Sequence, residues 1–217
     1  MSDSKITKYE GEQRDVTWDG RLCIHIGECG RSEGELFVGG RDPWCQPDLG
    51  TAEDVQDVVE RCPTGALVHL RKDGRVLETA PAENTVVVAN HGPLYVRGDL
   101  AIEGAPDDAP GLRFRAALCR CGASKNKPFC DNSHEGTRFR DHGAVGARGP
   151  GFEAAGGTLT ITPTKDGPFE VKGALTIVAA SGRPAWRGTE TWLCRCGQSK
   201  NKPFCDGAHR DAGFTSE

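Results

Sequence analysis

Two stretches decide how this chain is read: Cys119–His134, CRCGASKNKPFCDNSH, and Cys194–His209, CRCGQSKNKPFCDGAH. From Leu118 to His134 the later copy repeats the earlier one at 14 of 17 positions, at a constant offset of 75 residues. Upstream, Gly92, Pro93, Val96, Gly98, Leu100 and Ile102 fall on Gly167, Pro168, Val171, Gly173, Leu175 and Ile177, and downstream Phe139 falls on Phe214. The repeated piece is a supersecondary unit of about 55 residues, too long for a bare motif and present too few times for a solenoid.

Each unit opens on a Gly-Pro turn and then places apolar residues at every second position, Leu94 and Val96 in one copy, Phe169 and Val171 in the other. That period predicts a half-buried strand. Two or three short strands lead into a loop of the form C-x-C-x8-C-x3-H, whose Lys-Asn-Lys-Pro stretch is too polar and too broken by proline to be core. After Pro128 and Pro203 there is room for a short helix, with Asp131 or Asp206 as its capping acceptor.

Composition sets limits. In 217 residues, 29 glycines, 13 prolines and a hydrophobic share of 36% leave little material for one large core, so several small units are expected. Ten cysteines, behind an opening MSDSKITKYEGEQ with no apolar run, point to the reducing cytoplasm, where thiols ligate metals instead of forming disulfides. No run approaches the length of a membrane span, and a net charge of -4 argues against a general nucleic-acid binder.

Three thiolates and one imidazole within 16 residues suit either a tetrahedral zinc ion or an iron–sulfur cluster. Structural zinc sites usually pair ligands two to four residues apart. The closer pairs here, Cys119 with Cys121 and Cys194 with Cys196, reach a single iron if the loop folds tightly. Cys130 with His134, or Cys205 with His209, is then left for the other iron of a rhombic [2Fe-2S] centre. Imidazole in place of thiolate removes negative charge and raises the potential, as in Rieske centres.

These loops resemble the CDGSH iron–sulfur domain of the mitoNEET family, whose pattern fits Cys194, Cys196, Ser199, Pro203, Cys205, Asp206, Gly207, Ala208 and His209 throughout. The resemblance implies a [2Fe-2S] cluster on Cys194, Cys196, Cys205 and His209, and a second on Cys119, Cys121, Cys130 and His134. The first copy departs at Asn132, where the family has glycine. Asparagine tolerates a left-handed backbone better than other non-glycine residues, so strain is expected there and not loss of the cluster. Single-motif members of the family are homodimers. Two gapless copies in one chain therefore imply an intrachain pseudo-dimer, a monomer with an internal pseudo-two-fold. Lys125, Lys127, Lys200 and Lys202 read as solvated loop charges.

Four cysteines remain: Cys23, Cys29, Cys45 and Cys62. The stretch CIHIGECGR sets Cys23 and Cys29 six apart, and CPTGAL places a proline after Cys62, as ferredoxins do. Between them GTAEDVQDVVERC predicts a helix, with Thr51 and Asp54 as a variant capping box. Val55, Val58, Val59 and Cys62 form its buried stripe, and the Cys62 thiol points inward. Ile26 stands where a ferredoxin has its middle cysteine. Two options follow: a [3Fe-4S] cluster on three thiolates, or a [4Fe-4S] cluster with Cys45 swung in, His25 being a weaker donor candidate. The segment from Val16 to Leu70 resembles the divergent single-cluster ferredoxin domain that accompanies CDGSH motifs in some bacterial proteins. This implies Cys23, Cys29 and Cys62 as ligands; Cys45 lies where that family often has an aliphatic residue.

The expected architecture is α+β, in small metal-dominated units: a ferredoxin-like domain at 1–80, and two β-rich CDGSH units at 81–155 and 156–217. The sequence contains no dinucleotide, phosphate-loop, serine-hydrolase or zinc-protease motif, and His69, His91 and His142 stand apart from any ligand cluster. The chain is expected not to be an enzyme but to pass electrons to or from a reductase or oxygenase. The alternatives are a redox- or pH-responsive module that holds or donates clusters, and a zinc-stapled interaction protein.

Overall fold

The structure, a computed structural model, describes residues 6–216. Residues 1–5, on which the reading of the opening segment partly rests, lie outside the described residues. Strands β1 (Ile6–Glu10), β2 (Arg14–Asp19) and β3 (Leu67–Arg71) form an antiparallel sheet in chain order. Helix α1 (Ala52–Arg61) starts at the predicted capping box: Thr51 Oγ1 accepts from Asp54 N at 3.1 Å, and Asp54 Oδ2 accepts from Thr51 N at 2.8 Å. Its Val55, Val58 and Val59 pack on Val16, Leu36, Phe37 and Leu67. The helix stops at Cys62, because the residue before Pro63 is pushed out of helical conformation and takes ψ 110°.

The second sheet holds seven strands: β4 (Thr85–Val88), β5 (Leu94–Arg97), β6 (Asp99–Ile102), β7 (Arg115–Leu118), β8 (Thr158–Pro163), β9 (Phe169–Val178) and β10 (Pro184–Leu193). Their order is β6-β8-β9-β4-β5-β7, with β10 on the free side of β9. Leu94 and Val96 on β5, and Phe169 and Val171 on β9, are buried as the alternation predicts.

The repeats exchange strands. β4 runs parallel to β9 with Thr85 opposite Thr176 and Val86 opposite Ile177; β6 runs parallel to β8 with Ala101 opposite Thr160 and Ile102 opposite Ile161. Shifted by the 75-residue offset, each register becomes the other with the two copies interchanged. Val86, Val88, Leu100, Leu159, Ile161, Leu175 and Ile177 thereby bury one another in a single core, which a three-strand unit alone would leave half open. Asn84 staples the exchange: its Nδ2 donates to the carbonyls of Gly157 and Ala174 at 2.9 and 3.0 Å, and its Oδ1 accepts from Asp99 N at 3.0 Å.

A buried guanidinium ties the two sheets together. Arg115, on β7, pairs with Glu78 at 2.6 Å, and both side chains are 2% exposed. It also donates to the carbonyls of Val59, Cys62 and Leu67, so the end of α1 and the start of β3 are fixed to the first repeat. Helix α2 (Ser133–Gly136) is four residues long, so helix is confined to α1, α2 and short 3-10 turns among the described residues, and the chain is β-rich. None of the described helices is long and apolar enough to cross a membrane.

Candidate metal centres

β7 and β10 each deliver a cysteine pair. Past Leu118 the loop folds back on its own strand: Cys119 N donates to Pro128 O at 2.9 Å and Cys130 N to Ala117 O at 2.8 Å. Past Leu193 the same bonds recur, Cys194 N to Pro203 O and Cys205 N to Trp192 O, both 2.8 Å. Polar side chains brace the turns identically in both copies. Ser124 Oγ donates to Phe129 O and Ser199 Oγ to Phe204 O, each at 2.7 Å. Asp131 accepts from Lys125 N and Ser133 N, and Asp206 from Lys200 N and Ala208 N. The two aspartates thus act as the predicted acceptors, although an α-helix follows in the first copy only. Asn132 has the expected left-handed backbone, φ 68°.

The donors come in pairs. Cys119 Sγ lies 3.7 Å from Cys121 Sγ, and Cys130 Sγ 3.4 Å from His134 Nδ1; in the second copy Cys194 and Cys196 are 3.8 Å apart, and Cys205 and His209 3.5 Å. A tetrahedral metal with bonds of about 2.3 Å to sulfur and about 2.0 Å to nitrogen sets two sulfurs about 3.8 Å apart and a sulfur and nitrogen about 3.5 Å apart. Each pair is therefore spaced to share one metal atom. Among the described residues no three His, Cys, Asp or Glu side chains converge on one ion.

Electrostatics differ along the loop. Cys119 is pulled down to about 6 by the hydrogen bond from Cys121, helped against burial by the N–H groups of Ser124, Cys121 and Gly122; the same contact pushes Cys121 up. Burial pushes Cys130 up to about 12 and Cys194 up to about 11, and holds His134 below the ordinary imidazole value. Metal binding must displace these thiol protons, whereas the imidazole already favours its neutral, ligating form.

A buried arginine follows the first cysteine of each loop. Arg120 donates to Gly92 O at 2.7 Å, to Ala89 O and to Asp141 Oδ1 at 2.6 Å, with Phe139 5.1 Å from its guanidinium. Arg195 donates to Thr164 O at 3.1 Å between the rings of Phe169 and Phe214. The two loops abut: a Cβ on Gly122 would sit 2.7 Å from Cys196 O, and one on Gly197 2.7 Å from Cys121 O.

The N-terminal cysteines Cys23, Cys29 and Cys62 line one cavity of about 360 Å³, together with Trp18, His25 and Trp44. Burial, then the neighbouring thiols of Cys62 and Cys23, push the Cys29 thiol up. Cys45 is placed elsewhere. It is 1% exposed in the core under α1, its thiol pushed up to about 12 by burial, and it is not part of the cavity wall. Its packing sets it apart: the structure brings three of the four remaining cysteines together on one cavity wall, and Cys45 is not among them.

This cavity is backed by the first repeat. Ile24 packs on Ala117 and Cys130, with Tyr95 alongside. Asn132 Nδ2 donates to Ile24 O at 2.6 Å and Asn126 Nδ2 to Arg21 O at 2.7 Å. On the second copy the positions of Ala117 and Tyr95 are held by Trp192 and Glu170, also paired across the sheet, and Trp192 is 45% exposed. Sequence reasoning missed the two arginines and the asparagine latch. The signals were present as the arginine inside both C-R-C triplets and as the one position, Asn132, where the first loop leaves the glycine of the second.

Comparison with known proteins agrees with this geometry. The iron-binding zinc finger CDGSH type matches residues 91–135 and 166–210, and the divergent 4Fe-4S mono-cluster family matches residues 9–72. The chain is similar to the uncharacterized protein YjdI of Escherichia coli K12 and of Escherichia coli O157:H7, in each case 41% identical over 64 residues, 30% of this chain and 84% of the relative. No solved structure matches the chain. With donor pairs, loop braces and family patterns in agreement at both repeats, the chain belongs to the CDGSH-type iron-binding family, carrying two of its motifs behind a divergent 4Fe-4S mono-cluster segment.

Proposed function

We propose that this is an electron-transfer iron–sulfur protein and not an enzyme. In this reading one [2Fe-2S] cluster is held by Cys119, Cys121, Cys130 and His134, a second by Cys194, Cys196, Cys205 and His209, and a ferredoxin-type cluster by Cys23, Cys29 and Cys62. The observation that carries it is the two-by-two grouping of donors at 3.4–3.8 Å, which suits two metal atoms per loop. When bound, each cluster takes up and returns one electron.

The residues around the donors supply the rest. Arg195 places positive charge near Cys119, and the N–H groups of Asn132, Gln198 and Gly207 reach Cys130, Cys196 and Cys205 at 3.4 Å, so negative charge on sulfur is met by fixed donors. The reciprocal strand registers support an intrachain pseudo-dimer, a monomer built of units at 1–80, 81–155 and 156–217. Ten unpaired thiols suit the cytoplasm, with a reductase or oxygenase as redox partner. A second reading, a module that holds and hands on clusters, is favoured by the partial exposure of His134 and His209.

The deciding experiment is iron and acid-labile sulfide analysis of anaerobically purified protein, with EPR spectra of the oxidised and dithionite-reduced forms. Colourless protein with about three zinc ions would sink the iron–sulfur reading. Electron exchange with a reduced flavoprotein, faster than cluster loss to an apo-ferredoxin acceptor, separates carrier from donor.

A further inference from the structure

Three thiolates are one donor short of a four-iron cluster, in which each iron takes one ligand from the protein. Cys45 does not fill the gap, being packed among Val16, Leu36 and Phe37 and absent from the cavity wall. The same wall carries an imidazole, His25, whose Nδ1 lies 3.9 Å from Cys23 Sγ.

The local chain explains why it is there. Ile24 is 3% exposed and anchored on Ala117 and Cys130 of the first repeat, while Asn132 grips its carbonyl at 2.6 Å. With Ile24 pinned from behind, its neighbours on either side, Cys23 and His25, both line the cavity. His25 keeps a left-handed backbone, φ 52°, uncommon for a residue with a side chain and shared in this chain by His91, Asn132 and Asp166. Gly27, φ 88° with nothing within 4 Å of a Cβ, then turns the chain back to Cys29. The other ionisable group on the wall, Glu28, offers a harder oxygen donor that suits iron–sulfur chemistry less well than nitrogen.

We infer that His25 is the fourth protein donor of the N-terminal centre, so that the cavity takes a [4Fe-4S] cluster on three thiolates and one imidazole. The inference rests on the reading that an iron–sulfur cluster occupies this cavity. All three centres of the chain would then have the same donor set, with His25, one residue before the place of a ferredoxin's middle cysteine at Ile26, supplying the missing donor.

Full-length protein tests it, as wild type, His25→Ala, His25→Cys and Glu28→Gln, each reconstituted with iron and sulfide and labelled with ¹⁵N-histidine. The readouts are iron per chain, EPR of the oxidised state, and pulsed-EPR nitrogen coupling in the reduced state. Wild type should hold about eight irons per chain. His25→Ala should lose one iron, gain a three-iron signal when oxidised and lose one class of histidine nitrogen coupling. His25→Cys should restore the iron without the nitrogen coupling, and Glu28→Gln should match wild type. The [2Fe-2S] signals of the repeats, unchanged across the series, report that each variant folds. A three-iron signal already present in wild type, an unaltered spectrum in His25→Ala, or an iron loss in Glu28→Gln would overturn the assignment of His25 and leave the cluster standing. Wild type with about four irons per chain would overturn the occupied cavity itself.

Discussion

The side-chain amide of Asn132 donates to the main-chain carbonyl of Ile24 across 2.6 Å and 108 residues of sequence, joining the first CDGSH loop to the cysteine loop of the N-terminal unit. Replacing Asn132 by glycine, the residue at the matching place in the second loop, removes that bond while keeping a backbone that suits φ 68°. The bond is worth about 1 kcal/mol. Hydrogen exchange over residues 23–29 should accelerate about fivefold, with little change at residues 194–209. Equal acceleration in both places, or none, would refute the latch.

Gly122 and Gly197 each face the other loop's carbonyl. Alanine at either meets a backbone oxygen at 2.7 Å and a left-handed φ, 82° and 78° respectively, so each substitution should cost about 2–4 kcal/mol. Because the obstacle belongs to the opposite copy, a single Gly122→Ala change should bleach the bands of both proposed [2Fe-2S] clusters together. Visible absorption during thermal melts checks this.

His69 and Asp15 are two of the side chains that contribute to the acid limb of stability. His69 is 1% exposed; burial first, then Arg14, hold it below the ordinary imidazole value, while its Nδ1 lies 2.9 Å from Gln56 Oε1 and its Nε2 has no partner. The unfolded chain takes up that proton more readily, so stability falls as pH drops below about 6.5. Asp15 is held below the usual carboxylate range: burial pushes it up, but Lys72, Lys8 and the Gly11 N–H outweigh burial. Its contribution is present above about pH 4 and lost as pH falls through the lower folded value. Urea midpoints against pH should show the upper limb flattened in His69→Gln and the lower limb flattened in Asp15→Asn.

The Arg115–Glu78 pair at 2.6 Å sits where both charges are dry. Arg115→Met strands the Glu78 carboxylate and frees three carbonyls, and should cost about 3–5 kcal/mol. Arg115→Met combined with Glu78→Leu should recover part of that loss. Chemical denaturation of the single and double variants measures the difference.

Much of this was legible in the residues. The 75-residue offset located both loops, the alternation at Leu94, Val96, Phe169 and Val171 located strands, and Thr51 with Asp54 located the start of α1. The offset is read by aligning the chain with itself, and the other two are local signals, carried by neighbours within a turn or a few strand positions. The strand exchange was not legible, because pairing Thr85 with Thr176 depends on burial across 91 residues and leaves no period in either segment. The placement of Cys45 apart from Cys23, Cys29 and Cys62 was not legible either, because sequence lists thiols without saying which way they face. The β-rich balance arose because outside α1 the Gly- and Pro-rich connections support only short turns.

The contrast between Ala117, covered by Ile24, and Trp192, bare to solvent, has a consequence for the molecule as a whole. A duplication starts with two interchangeable ends. Here one end has become an interior berth for the chain's own leading segment, and the other presents an indole outward beside Cys205. The fold that descends from a symmetric pair is therefore polar: it has an inboard copy and an outboard copy, and anything approaching from solution meets them unequally.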